Sequence, residues 1–252
     1  MATGDINATV GIIGFGRFGP VLTRLLTPSY EVLAYDITDI TERAGAVGAR
    51  PAEWKAVAAA PTIFLAVPIR SLKEVVARLV PEVKPGTTIF DVCSVKVYPA
   101  TIMKEYFPPE ITTIASHPLF GPDSSQHGFK DLPMVIHPVS PRTDRFDQWA
   151  RYFRDQGLHV LEMTPEEHDR LAARSQGITH FMGRVLAEFG IKSTPIDTEG
   201  FRDLQLVVEQ TCHDSFELFH DLENFNPYTM EMIDAVVKAV EQIKQSILQR
   251  EE

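Results

Sequence analysis

Over about the first 160 residues, short apolar runs rich in β-branched side chains alternate with amphipathic stretches. That alternation arises when crossover helices cover both faces of a mostly parallel sheet. Runs at 9–13, 31–35, 62–67, 87–91, 111–115, 134–137 and 159–163 predict seven strands, most of them closed by turn residues or proline. After Thr164 the pattern changes. Pro165, Glu166 and Glu167 have the make-up of a first helical turn, and no strand-like run follows them. Helices are predicted at about 165–188, 198–222 and 227–249, separated by turns at 190–195 and 224–227. The expected fold class is therefore α/β, with a doubly wound domain over 1–164 and an all-helical domain over 165–252.

Those helices carry apolar residues on more than one face, among them Phe216, Leu218, Phe219, Leu222 and Phe225. Fewer than 90 residues cannot readily bury that surface alone, so either a homodimer forms through this domain or the helices dock on the α/β domain. A hydrophobic fraction of 44% and a charged fraction of 23% are those of a globular chain, and a mean hydropathy of −0.06 leaves no apolar excess for a membrane. The net charge of −10 repels polyphosphates, and the densest basic stretch, 142–154, is interleaved with Asp144 and Asp147, which argues against a nucleic-acid partner. Cys93 and Cys212 stand far apart and outside any CxxC pattern, so neither a disulfide framework nor a metal site is expected. Both suit a reducing cytoplasm. The opening MATGDINATV, with its acidic Asp5, does not read as a signal or transit peptide, although a trimmed transit peptide stays open.

Candidate chemistry begins at TVGIIGFGRFG, residues 9–19, where an apolar strand runs into Gly14-x-Gly16-x-x-Gly19 and then a helix. Gly14 permits the tight turn, Gly16 lets backbone approach a pyrophosphate, and Gly19 lets helix and strand pack closely. Phe15, Arg17 and Phe18 belong to the same loop, whose unpaired N–H groups would hold the anion. Asp36 ends the second strand, twenty-two residues after Gly14, where a carboxylate accepts from ribose hydroxyls. It would repel a 2′-phosphate, and no arginine stands among residues 37–40, so NAD is expected over NADP. Val67 and Pro68, at another strand end, should line the nicotinamide side, with Ser71 either contacting the cofactor or capping the next helix.

Two further segments look out of place as scaffolding. Phe90-Asp91-Val92-Cys93-Ser94-Val95-Lys96 delivers a hydroxyl and an ammonium at a strand end, and Ala115-Ser116-His117-Pro118-Leu119-Phe120-Gly121-Pro122 carries a histidine out of a strand into a loop. A histidine so placed can remove a hydroxyl proton during hydride transfer, although a lone histidine is more often structural. With GFGRFG and SQGITHFMGRVL, these segments resemble the prephenate and arogenate dehydrogenases of tyrosine biosynthesis, in order along nearly the whole chain. The SHPLFGP and THxxGRVL forms are closer to the plant-type arogenate enzymes than to bacterial ones with HPMAG and SHLPH.

The resemblance implies a Rossmann domain followed by a helical dimerisation and substrate domain, and oxidative decarboxylation of a cyclohexadienol, arogenate or prephenate. His117 would take the hydroxyl proton, Ser94 would support it, and Cys93 would line the cofactor. Lys96, Gln176, His180, Arg184, Thr211 and Asp214 would bind substrate. Gln176, His180 and Arg184 fall at i, i+4 and i+8 on one helix face. Arg184 suits a carboxylate but equally an intersubunit salt bridge. Arg202 matches bacterial relatives, while Leu206 stands where they often carry a second arginine. Asp214, read as lying within the second helix of the helical domain, is the expected selector for arogenate over prephenate. The other readings are a dehydrogenase of β-hydroxyacids or imines, and a non-catalytic dinucleotide sensor, which would share the glycine loop without needing Ser94 and His117.

Overall fold

Among residues 9–249, which the computed structural model describes, eight strands form one sheet. They are β1 (Thr9–Ile13), β2 (Glu31–Tyr35), β3 (Ala49–Pro51), β4 (Thr62–Leu65), β5 (Thr88–Asp91), β6 (Thr112–Pro118), β7 (Pro133–Pro138) and β8 (His159–Glu162). Their order is β3-β2-β1-β4-β5-β6-β7-β8, with β1 paired in parallel to both β2 and β4. The chain thus reverses its direction of travel across the sheet between β1 and β4, the crevice where open α/β sheets bind ligands. The reading of the opening residues as lacking a leader falls on 1–8, outside the described residues.

The helices of this half are α1 (Gly19–Leu26), α2 (Thr41–Gly45), α3 (Trp54–Ala58), α4 (Leu72–Leu79), α5 (Val97–Tyr106) and α6 (Asp144–Asp155). Every residue of β4 and β5 is buried, as strands covered on both faces must be. Phe64 and Phe90 stack at 4.5 Å on one face, and Trp149 of α6 meets both edge-on at 5.5 and 5.3 Å. Tyr152 of the same helix donates to the Leu25 carbonyl at 2.7 Å, tying α6 to α1.

Three features of the sheet depart from the sequence expectation. The edge strand β3 is additional. β6 continues through His117 and Pro118, so the histidine lies within the strand, one residue before its end, instead of leaving it. β7 runs antiparallel to β6, with β8 parallel to β7, because residues 119–132 return without a crossover helix.

The chain divides into two compact units, Met1–Pro165 and Glu166–Glu252. The second is helical: α7 (Pro165–Ala172), a π turn (Ala173–Gly177), α8 (Ile178–Phe189), α9 (Glu199–Cys212), α10 (Phe216–Phe225) and α11 (Thr229–Leu248). Thr198 caps α9 by accepting from Phe201 N, and Ser215 caps α10 by accepting from Leu218 N. The single helix expected over 198–222 is therefore two. Among the described residues no helix is long and apolar enough to cross a membrane.

Candidate active site

The loop after β1 has the shape its glycines require. Gly14 adopts φ +93°, and a Cβ there would lie 2.4 Å from the Ala66 carbonyl that follows β4, so only glycine fits. Gly14 N donates to the Tyr35 carbonyl at 2.8 Å, fastening the loop to the end of β2. A Cβ on Gly16 would meet nothing within 4 Å, leaving open space where a pyrophosphate would approach. Gly19 is small for a different reason than expected: a Cβ would come within 2.8 Å of the Phe15 ring, which is fully buried. Phe15 is thus a wedge under the loop, and a ligand could meet its backbone alone. Arg17 is exposed and 3.7 Å from Asp123, Phe18 is half-buried against the Phe120 ring, and Val67, Pro68 and Ser71 border the same edge. Ser71 takes the N-cap position of α4 without a side-chain capping bond.

Asp36 closes the loop from the other side. Its Oδ2 accepts from Phe15 N at 2.6 Å, and its Oδ1 accepts from the Thr38 N–H and hydroxyl, both at 3.0 Å. Burial alone would raise this carboxyl, but those bonds and the Arg43 guanidinium more than offset it and hold Asp36 below the usual carboxylate range. A carboxylate offers about four acceptor directions, so Asp36 retains capacity for a ribose hydroxyl.

At the β5–β6 edge one buried cluster organises both candidate catalytic segments. Asp91 Oδ1 accepts from Cys93 N at 3.0 Å, Asp91 Oδ2 from Ser116 N at 3.3 Å, and Ser116 Oγ donates to the Asp91 carbonyl at 2.5 Å. Lys96 Nζ donates to Asp91 Oδ1 and, at 2.5 Å, to the Ser116 carbonyl. Lys96 is 1% exposed, so its expected contact with substrate is corrected: the ammonium lies inside the fold, holding the turn after β5 to the residue before His117. Burial, the larger influence, raises the Asp91 carboxyl, with Lys96 and the two N–H groups opposing it. Cys93 is likewise buried, and its N–H is taken by Asp91. Ser94 remains partly exposed in this turn, and His117, next to last in its strand, is 4% exposed.

In the helical unit, Gln176 lies in the π turn, and His180 and Arg184 follow on α8. Gln176 Oε1, His180 Nδ1 and Arg184 Nε are each buried without a hydrogen-bond partner, an uncommon concentration of unspent polar atoms on one face. Burial is the first cause that holds the His180 imidazole below its ordinary pKa; Asp214 opposes it and Arg184 adds to it. Asp214 is not within a helix, as expected, but in the turn between α9 and α10. Arg184 Nη2 donates to the carbonyls of Asp214 at 2.6 Å and Thr211 at 3.3 Å, so that end of the guanidinium caps α9 and is not free for a substrate carboxylate. Thr211 is corrected too. It is 1% exposed, its hydroxyl donates to the Val207 carbonyl at 2.8 Å, and a Cβ on Gly183 would come within 2.1 Å of it. Thr211 is where α8 and α9 touch.

A family model described as "Prephenate dehydrogenase, nucleotide-binding domain" matches residues 23–162, more than half of the chain. Arogenate dehydrogenase 2, chloroplastic, of Arabidopsis thaliana is 34% identical over 251 residues, covering 96% of this chain and 70% of the relative. The chain belongs to the prephenate/arogenate dehydrogenase family. Arogenate dehydrogenase 1, chloroplastic, of the same plant is also 34% identical over 96% of this chain, which spans 39% of that longer relative. A second family model, "TYRAAT1-like, C-terminal domain", matches 185–252. The fold is shared with the crystal structure of prephenate dehydrogenase from A. aeolicus in complex with hydroxyphenyl propionate and NAD+, at a TM-score of 0.80 and 20% identity, covering 96% of this chain and 91% of that one.

In this member of the prephenate/arogenate dehydrogenase family, sequence reasoning missed Asp91, Ser116 and Arg43. An acid closing the otherwise uncharged run Thr88–Asp91 was the available signal for the first. Ser116 had none, since its role depends on the pairing of β5 with β6. Arg43 lies just past residues 37–40, on the short helix α2 that brings its charge to Asp36.

Proposed function

We propose that the protein oxidatively decarboxylates arogenate to tyrosine with a nicotinamide dinucleotide as hydride acceptor. The likeness to the Arabidopsis arogenate dehydrogenase, 34% over 96% of the chain, carries this reading. The glycine loop and Asp36 have the form such a cofactor needs, and when bound it accepts hydride from the ring carbon bearing the hydroxyl. His117 takes the hydroxyl proton, acting as a neutral imidazole, so activity falls as acid protonates it. Ser94, in the turn held by Asp91 and Lys96, steadies that hydroxyl. Loss of carbon dioxide then aromatises the ring. His180 is kept neutral by burial and offers hydrogen bonds to the substrate, and the Asp214 carboxylate pairs with the substrate ammonium. Purified protein supplied with arogenate should show a higher kcat/KM than with prephenate; the reverse order favours prephenate dehydrogenase.

For the cofactor, Asp36 supports NAD, as does the NAD+ bound in the A. aeolicus enzyme. NAD is therefore expected to give the higher kcat/KM, measured side by side with NADP. Arg43 is the one observation favouring the other cofactor. If NADP is preferred, Arg43→Ala should abolish the preference, and Asp36 is then not an excluder.

The helical unit is proposed to associate as a homodimer. Val237, Val240, Ile243 and Ile247 form an exposed apolar stripe along α11, and Leu206 and Phe216 are exposed as well. Sedimentation of dilute protein should give twice the chain mass. A folded, active monomer would contradict it.

A further inference from the structure

Glu223 on α10 is 8% exposed, and both of its carboxyl oxygens are buried without a hydrogen-bond partner. Buried acids are ordinarily paired or well hydrogen-bonded, so this one stands out. Gly177 presents bare backbone to it from the π turn: a Cβ there would lie 3.5 Å from Glu223 Oε2 and 3.7 Å from Met232 Cε of α11. Thr229, in the first turn of α11, is 1% exposed, and its hydroxyl also lacks a partner. Neither oxygen of the acid thus makes a hydrogen bond of ordinary geometry.

Among the titratable groups of the surrounding elements, two pairs engage each other. On α7, His168 Nδ1 and Asp169 Oδ1 are 2.7 Å apart. Arg174 of the π turn reaches outward to Glu231 of α11 at 3.3 Å. Asp221 is buried on the same helix as Glu223, and His180 follows Gly177 on α8. The influences on Glu223 are burial, the larger, which raises its carboxyl to about 7, and the Thr229 hydroxyl, which lowers it without a hydrogen bond of ordinary geometry. No ionised group is among them.

A π turn is a local departure from the α-helical ladder, here with the Ile178 N–H bonded to the Ala173 carbonyl five residues back, and such turns are frequent at functional sites. This one sets the register between α7 and the polar face of Gln176, His180 and Arg184. We propose that Glu223 is a positioning residue for that face: as a neutral acid it packs against the π turn at Gly177, and on ionising it draws water to the spot and loosens the turn. The proposal rests on the reading of that face as substrate-binding.

Glu223→Gln keeps the shape of the neutral acid at every pH, and Glu223→Ala removes the brace. Two measurements on the full chain separate the possibilities. The first, amide hydrogen exchange over 173–184 corrected for its intrinsic pH dependence, needs no substrate. The group's folded pKa lies above its unfolded value, so its contribution to local stability is complete below the unfolded pKa and lost as pH rises to about 7. Wild-type protection should fall by up to ~10-fold per pH unit between about 5 and 7 and then level off. Glu223→Gln should be flat, and Glu223→Ala poorly protected throughout. The second is the pH profile of KM and kcat for arogenate. Wild-type KM should rise several-fold as pH passes about 7, Glu223→Gln should keep the low KM, and kcat should follow one profile in both. Equal protection in wild type and Glu223→Gln overturns the proposal. A difference in protection with identical KM profiles makes Glu223 a stabiliser without a positioning role. If arogenate is not turned over at all, the substrate reading fails, and the exchange measurement still decides whether Glu223 braces the turn.

Discussion

Replacing His117 with alanine or asparagine should lower kcat by ~10²- to 10⁴-fold, the usual contribution of a positioned general base. The residue is next to last in β6, whose partner β5 runs into the turn that carries Ser94, and the peptide before it is pinned from three sides by Asp91 and Lys96. The backbone that carries it is thus held by bonds that the substitution leaves in place. The Gly14–Gly19 loop belongs to a different strand end and keeps its own fastenings to Tyr35 and Asp36. Dinucleotide affinity, followed by quenching of intrinsic fluorescence, should therefore change little while turnover collapses. If both variants retain turnover, His117 is a structural member of the β6–β7 pairing and another group takes the proton.

The second large effect is on substrate choice. Arogenate carries an ammonium where prephenate carries a keto group, so one carboxylate can favour the first and repel the second. Two bonds that do not involve the Asp214 carboxyl hold its turn: its carbonyl accepts from Arg184 Nη2 at 2.6 Å, and the next residue caps α10. Asp214→Asn should therefore remove charge without moving the turn. A charge-assisted hydrogen bond is worth about 1.5–3 kcal/mol, so the ratio of kcat/KM for arogenate over prephenate should fall by roughly 10- to 150-fold. His180 should shift with it, because Asp214 is the group that opposes the lowering of its pKa. An unchanged ratio would show that the carboxylate does not select the substrate.

How far this was legible beforehand depended on what each residue's role required. The glycine loop and Asp36 were readable because their function follows from local backbone and spacing. The strands were readable because buried parallel strands are continuous apolar runs. The direction of β7 was not, since direction is set by the connection through 119–132 and leaves no mark on the alternation of the strand itself. The break between α9 and α10 was hidden by apolar periodicity running on from Val208 through Cys212 to Phe216 and Phe219, and only the Ser215 cap marks it. That concealment placed Asp214 inside a helix. Lys96 and Thr211 were misassigned for a different reason. A polar residue beside a catalytic motif looks the same in sequence whether it faces a ligand or a buried partner, and both of these turn inward. The same blindness hid Glu223, an ordinary helix acid in sequence that is sealed against a π turn in the fold.

The most direct measurement is the stoichiometry of the reaction with purified protein, arogenate and NAD. NADH, carbon dioxide and tyrosine should appear together in equal amounts. NADH without carbon dioxide, or no NADH from arogenate or prephenate with either cofactor, would contradict the assignment of oxidative decarboxylation to this site.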